Sequence, residues 1–238
     1  MSDHLDSAGD EPVTPAPPMT PDARQAFYDV VYRRRDVRRG FLPDEVPSDV
    51  LMRVLAAAHA APSVGFMQPW RFVLIGRTEV RARLRASFER ASAVTREAFG
   101  DEALQRDYSA LKLQAFDDAP LVVAVTCDTN EPRGHGLGRR TWPQAARDSA
   151  VAAVQNLMLA ARCEGLGTGW VSILEPGEVR SALELPEGVE AVAVLCVGYV
   201  DRFEDRPELE TAGWAERVDL AGIVRHETHD GPVVDLRG

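Results

Sequence analysis

Five arginines fall within seven residues at Arg33-Arg34-Arg35-Asp36-Val37-Arg38-Arg39, and a single aspartate interrupts them. Guanidinium groups are planar forks that make short, charge-assisted bonds to phosphate oxygens, so this run reads as a seat for a phosphate or another small anion. A carboxylate inside it repels the anion that the arginines attract. Asp36 is therefore either a structural ion-pair partner or a group that acts on a ligand whose phosphate lies next to it. Positive neighbours favour the charged form of a carboxyl, so a lowered pKa is expected, with Asp36 ionised and accepting protons rather than donating them.

A second group of polar side chains sits in Ala61-Pro62-Ser63-Val64-Gly65-Phe66-Met67-Gln68-Pro69-Trp70, where two prolines and a glycine stop regular structure. A rigid loop that offers the Ser63 hydroxyl and the Gln68 amide beside an indole suits a flat heteroaromatic ligand, against the plainer reading of a proline-rich turn. Gly165-Leu166-Gly167-Thr168-Gly169-Trp170 spaces its glycines alternately. It stands between a helix and a strand, the reverse of the dinucleotide fingerprint, and its expected use is close approach of backbone to another chain segment or to a ring face. Ser172 follows Trp170 by two residues, and strand alternation would turn both to one face. Arg202 and Arg206, far along the chain, are further candidates for a phosphate contact, with surface salt bridges as the alternative. His226 and His229 lack the spacing of a zinc-protease helix and no cysteine stands near them, so no metal is expected.

The chain has 238 residues, 45% of them hydrophobic, and a formal net charge of −10. That acidity argues against nucleic acid, whose nonspecific binding needs a cationic surface. The positive charge is local: from Arg24 to Arg39 six arginines face Asp29 and Asp36, a net of +4. No apolar run approaches the roughly 20 residues that span a bilayer, and no secretory leader is expected at the N-terminus. Cys127, Cys163 and Cys196 lie in apolar, patterned segments and are expected to be buried free thiols of a cytoplasmic protein.

The elements that must position these groups follow from the pattern. Residues 1–20 are proline-rich with little to bury and are expected to be a disordered tail ahead of one domain, 21–238. Thr20-Pro21 opens a helix that runs into the arginines, and Ser48 caps a second. Arg71–Ile75 reads as a strand, 78–116 as helical with a break near Gly100, Leu121–Thr126 as a buried strand and 130–142 as loop. Residues 143–164 form an alanine-rich, buried helix that suits a subunit interface. A strand over Val171–Leu174, a helix from Pro176 and a strand over Val189–Val200 complete the body, and about 201–238 form an extended arm over the body or a neighbouring subunit. The fold class is α+β, three-layered, with a central mixed sheet of four to five strands flanked by helices.

The arginine run, the Pro-Ser…Gln-Pro-Trp loop, the Gly-Leu-Gly-X-Gly-Trp turn and the Gly198-Tyr199 strand end with a later arginine resemble the nitroreductase-like flavoproteins over roughly residues 24–220. Within that family Arg34-Arg35-Asp36-Val37-Arg38, Ala61 to Trp70 and Gly169-Trp170-Val171-Ser172-Ile173 are most similar to the 5,6-dimethylbenzimidazole synthase (BluB) branch. The resemblance implies a homodimer with FMN at the subunit interface. Arg34, Arg38 and Arg206 would hold the phosphate, with Arg35 contributing at least its backbone. Ser63 and Gln68 would contact the ribityl chain or ring edge, and Gly167 to Gly169 would lie near the isoalloxazine. It implies as chemistry the dioxygen-dependent fragmentation of reduced FMN to 5,6-dimethylbenzimidazole, the lower ligand of cobalamin, and erythrose 4-phosphate. Asp36 would take a proton near the ribityl C1′, and Ser172 would hydrogen-bond the flavin or an intermediate. Reduced FMN would come from a separate NAD(P)H-dependent flavin reductase or from reduction in place. Ordinary nitroreductases resemble the chain except at Asp36, where they usually carry a small hydroxyl residue. The alternatives are a conventional NAD(P)H-dependent nitro or quinone reductase and a non-catalytic anion-binding protein in which Asp36 only forms a salt bridge.

Overall fold

A computed structural model describes residues 16–234. The tail expected over 1–20 lies mostly outside the described residues, as do the last four positions. Thr20 caps α1 (Pro21–Arg33) by accepting from the Ala23 N–H, and the helix ends where Arg34 turns extended. α2 (Ser48–His59) begins one residue earlier than a Ser48 cap allows, because Pro47 with its non-helical ψ occupies the cap position. The helical stretch splits into α3 (Thr78–Ala98) and α4 (Glu102–Ala110), with Asp101 capping the second. Helix does not continue to 116. Arg81 instead gathers the carbonyls of Phe116, Ala119 and Pro120, which fixes the chain in an irregular path into the next strand.

Four strands form the sheet: β1 (Trp70–Ile75), β2 (Leu121–Asp128), β3 (Leu166–Val171) and β4 (Val189–Tyr199), in the order β1-β2-β4-β3. Every neighbouring pair is antiparallel, so the expected mixed sheet is corrected. The buried helix α5 (Ala145–Cys163) does carry the chain from β2 to a strand running the same way, β3. β4 then arrives by α6 (Pro176–Ala182) and inserts between them, which separates the parallel pair. Alternation along the strands feeds two cores. Val123, Val125, Leu195 and Val197 face α2 and α5, while Val122, Ala124, Val194 and Cys196 face α3 and α6. Three layers result. Cys127 and Cys196 are buried, and burial pushes both thiols up to about 12. Cys163 is exposed at the end of α5, contrary to expectation.

The glycine-rich turn is also corrected: residues 166–171 are strand β3 itself. Glycine is a weak strand former, and the reason for it lies outside the sheet. The segment after the arginines runs along β3's outer edge, with a parallel bridge between Asp36 and Thr168 and a 2.8 Å hydrogen bond from the Val37 N–H to the Thr168 carbonyl. A Cβ on Gly169 would stand 2.2 Å from the Val37 carbonyl oxygen, and one on Gly167 2.6 Å from Val200. Beyond β4, residues 201–234 hold α7 (Glu208–Thr211) and place Trp214 5.8 Å from the Phe99 ring and 6.2 Å from that of Tyr108.

Gly169→Ala should therefore lower stability by about 1–3 kcal/mol or more, since backbone must move to admit the methyl. Gly177→Ala, whose Cβ meets nothing within 4 Å, should be neutral or slightly stabilising. Chemical denaturation of the two variants checks the contrast.

Candidate functional site

The edge of β3 organises the first half of the site. Asp36 leaves the end of α1 and its side chain joins the ladder: Asp36 Oδ1 accepts from the Trp170 N–H at 2.8 Å, and Oδ2 is paired with the Arg38 guanidinium. A backbone bond to a carboxylate contributes about 1.5–3 kcal/mol, comparable to a regular strand contact made with charge assistance. The carboxylate keeps 31% of its surface, so one side stays open. Its pKa is raised above 3.8, not lowered as the arginine count suggested. Enclosure is the largest influence, and it outweighs Arg38, the Trp170 N–H and Arg34, which favour ionisation; Glu208 adds to the upward push. Counting neighbouring charges left out the cost of taking the group out of water.

The arginines divide their work. Arg35 turns back to donate to the carbonyls of Tyr32 and Arg34, each at 2.8 Å, and also to that of Asp205. It closes α1 and ties down the start of the arm. Arg39 pairs with Glu208 at 3.0 Å. Arg34 makes no ion pair with any described residue and lies beside Asp36. Arg206 is 66% exposed and paired with Glu210 at 2.7 Å. The Glu210 carboxyl is held below its ordinary range first by Arg206, with Arg217 and Arg35 adding to the effect, so Arg206 stands at the rim of the cluster. The Nε atoms of Arg35 and Arg38 are buried without a partner. Two orphaned guanidinium donors beside an unpaired Arg34 fit a phosphate-sized anion.

Ser172 follows the last residue of β3 and is exposed. It opens onto a cavity of about 480 Å³ with Trp170, Leu174, Val179, Glu190 and Val192, located where β4 continues past the end of β3. Arg34, Arg35, Asp36, Arg38, Gly167, Gly169 and Ser172 thus gather at one sheet edge.

Ser63 and Gln68 do not join them. They precede β1, the opposite edge strand, with β2 and β4 between. At about 4.8 Å per strand, three spacings put roughly 14 Å between the edges. The loop around them is strained: Phe66 and Gln68 adopt φ of 55° and 46°, a left-handed conformation that costs about 1–2 kcal/mol each. Ser63 Oγ accepts from the Gln68 N–H at 3.0 Å, and the Val64 N–H donates to Ser149 Oγ at 3.1 Å. Phe66, Leu137 and Trp142 around this loop are 78%, 66% and 62% exposed.

Several groups at these two edges carry no motif. Glu208 and Arg217 come from the arm, and Glu131 and Arg133 from the loop facing Gln68; paired charges in an irregular segment look the same in a sequence whether or not they reach a site. Among the described residues no cluster of His, Cys, Asp or Glu could hold a metal ion.

A family model described as the nitroreductase family matches residues 31–199, and the chain belongs to that family. A 5,6-dimethylbenzimidazole synthase of Rhodospirillum rubrum is 42% identical over 84% of this chain and 94% of its own. One of Rhodobacter capsulatus is 40% identical over 82% and 93%. Among solved structures, oxidised iodotyrosine deiodinase bound to FMN and 3-iodo-L-tyrosine aligns with a TM-score of 0.67 at 25% identity, covering 85% of this chain and 99% of that one. A BluB-like flavoprotein from Clostridium difficile 630 shares the fold with a TM-score of 0.58 at 20% identity, covering 81% and 98%.

The Asp36 carboxyl binds its proton more tightly when folded, so its contribution to stability is fully present below pH 3.8 and is lost as pH rises through the folded value. The stability of the wild type minus that of Asp36→Asn should accordingly fall from pH 3.8 upward. A difference that grows with pH would show the pKa to be lowered.

Proposed function

We propose that this chain is a 5,6-dimethylbenzimidazole synthase that takes reduced FMN as substrate and, with dioxygen, converts it to 5,6-dimethylbenzimidazole and erythrose 4-phosphate, the pyrimidine ring of the isoalloxazine leaving as a further fragment. The observation that carries the reading is a carboxylate built into the sheet edge inside an arginine cluster with unpartnered guanidinium donors, in a chain whose relatives, matched over 93–94% of their length, bear that name. Residues 21–238 are taken as one flavin domain.

Arg34, which makes no ion pair with a described residue, and Arg38, through its orphaned Nε, hold the phosphate, with Arg206 closing over it after exchanging Glu210 for the anion. Arg35 contributes at least its backbone, since its terminal nitrogens are committed to Tyr32, Arg34 and Asp205 while its Nε is unpartnered. Gly167 and Gly169 serve the flavin indirectly, by letting the Asp36 segment lie against β3. Bound in its reduced form, the flavin supplies electrons and the carbon skeleton of the product. Asp36 accepts a proton on the ribityl C1′ side. Oδ1 and Oδ2 each spend one lone pair, on Trp170 and Arg38, and each retains another. A raised pKa makes the ionised carboxylate a stronger base than an exposed one, which suits this role. Ser172 supplies a hydroxyl at the ring end, in the cavity beyond β3.

Ser63 and Gln68 reach a flavin at the β3 edge only from a second copy of the chain. We take the active form as a homodimer with two sites, each drawing Asp36 from one subunit and Gln68 from the other. The exposed Phe66, Leu137 and Trp142 next to Gln68, and the exposed Tyr32 on α1, support that assembly. An isologous two-fold contact would bury them in pairs. No helix among the described residues is long and apolar enough to cross a membrane. Reduced FMN would reach this cytoplasmic protein from a separate NAD(P)H-dependent flavin reductase or by reduction in place.

Aerobic incubation with reduced FMN should yield 5,6-dimethylbenzimidazole by mass spectrometry, and full recovery of intact flavin would favour a conventional reductase. Asp36→Asn should bind FMN yet lose at least about 100-fold in product formation, the typical share of general-base catalysis. The wild-type rate should rise with pH through a carboxyl value above 3.8.

A further inference from the structure

The charged residues and glycines of loop 130–142 have no part in the function as described, yet they grip the one segment of the β1 edge that does. Glu131, 6% exposed, lies at its start. Its Oε1 accepts from the Arg133 N–H at 3.1 Å and from Arg133 Nε at 2.9 Å, and its Oε2 from an Arg133 terminal nitrogen at 3.1 Å. The carboxyl is held below its ordinary range, first by the Arg133 side chain. So oriented, the same terminal nitrogen donates to the Gln68 carbonyl at 2.9 Å. Two glycines make the approach possible. A Cβ on Gly134 would stand 2.2 Å from the Gly65 carbonyl oxygen, and one on Gly138 2.5 Å from Val64.

Gln68 is the residue that needs holding. Its left-handed backbone has the N–H fixed by Ser63 and the carbonyl fixed by Arg133, while its own side-chain nitrogen donates to the Phe66 carbonyl at 3.2 Å. Release of the carbonyl leaves a strained peptide free to relax toward an extended conformation, and that rotation swings the side-chain amide away from its present direction. Pro69, which fixes the next φ, passes the change on to the start of β1.

We infer that Arg133, oriented by the buried Glu131, is a positioning residue that locks Gln68 in the left-handed conformation in which its amide meets the flavin. This rests on the reading of Gln68 as a flavin contact. A guanidinium is required because the task takes a bidentate hold on one carboxylate and a third bond to a carbonyl, which a lysine ammonium cannot make in that plane.

The test is a double-mutant cycle on the full chain, read by titration with oxidised FMN and by the visible absorption spectrum of the bound flavin. Neither readout depends on turnover. Gln68→Ala should weaken FMN binding about 10-fold, and Arg133→Ala by a similar factor with the same change in spectrum. The double variant should be no weaker than the weaker single, because both changes remove one effect. Should Arg133→Ala not fold, Arg133→Lys, which keeps the charge beside Glu131 but loses the fork, takes its place and should weaken binding likewise. Losses that multiply in the double variant, or an Arg133 variant with wild-type affinity and spectrum beside a weakened Gln68→Ala, would overturn the inference alone. Wild-type affinity in Gln68→Ala would instead remove the flavin contact on which the inference rests.

Discussion

The outer edge of β3 has to be covered, and the way it is covered sets the rest of the site. An edge strand presents unpaired N–H and carbonyl groups that invite pairing with other chains. Here the main chain at Val37 satisfies the Thr168 carbonyl, and the Asp36 side chain satisfies the Trp170 N–H. A carboxylate stands where a backbone carbonyl would stand in a fifth strand. That substitution draws a charged group into the sheet's margin, positions Arg38 beside it and puts Arg34 at the turn out of α1. Shifting the pairing by one residue would exchange Asp36 for Val37 and abolish the arrangement. The glycines at 167 and 169 and the bond at Trp170 therefore act together.

Strand order imposes the second constraint. Because β1 and β3 are the two edges of one sheet, the Asp36 group and the Ser63–Gln68 loop are parted by β2 and β4. Both are held rigidly, the first by the ladder and the second by left-handed residues whose backbone groups are all engaged. Neither can cross the sheet to meet the other, which is why the proposed site draws its second half from another copy of the chain. The arm is the softer part. Glu208 pairs with Arg39 and Glu210 with Arg206 within the arm itself, exposed ion pairs of the kind worth at most about 1 kcal/mol, so rearrangement there costs little.

Much of this was legible in the residues. The continuous apolar run of β2, the alanine periodicity of α5 and the Thr20-Pro21 start of α1 each carry one strong local signal, and each element is found where that signal lies. The motifs at 33–39, 61–70 and 165–172 marked the groups that the two edges display. What was not legible depended on partners remote in sequence. β3 contains glycines because another segment needs the space, so its composition mimics a turn. The sheet reads as mixed because β4's insertion between β2 and β3 has no local trace. Asp36 reads as acid-strengthened because neighbouring charge is visible in a sequence and burial is not. Arg133 looked like one cation in a loop until Glu131 and Gln68 were seen to share it.

The central claim is that the edge-bound Asp36 carboxylate faces the ribityl chain of a flavin shared between two subunits, and a crystal structure of the FMN complex tests it most directly. The account predicts an Asp36 oxygen within about 2.6–3.2 Å of a ribityl hydroxyl or one water removed from it, with the phosphate on Arg34 and Arg38 and the ring edge against Gln68 of a second chain. A flavin held by one chain alone, or one whose ribityl carbons lie far from the β3 edge, would contradict it.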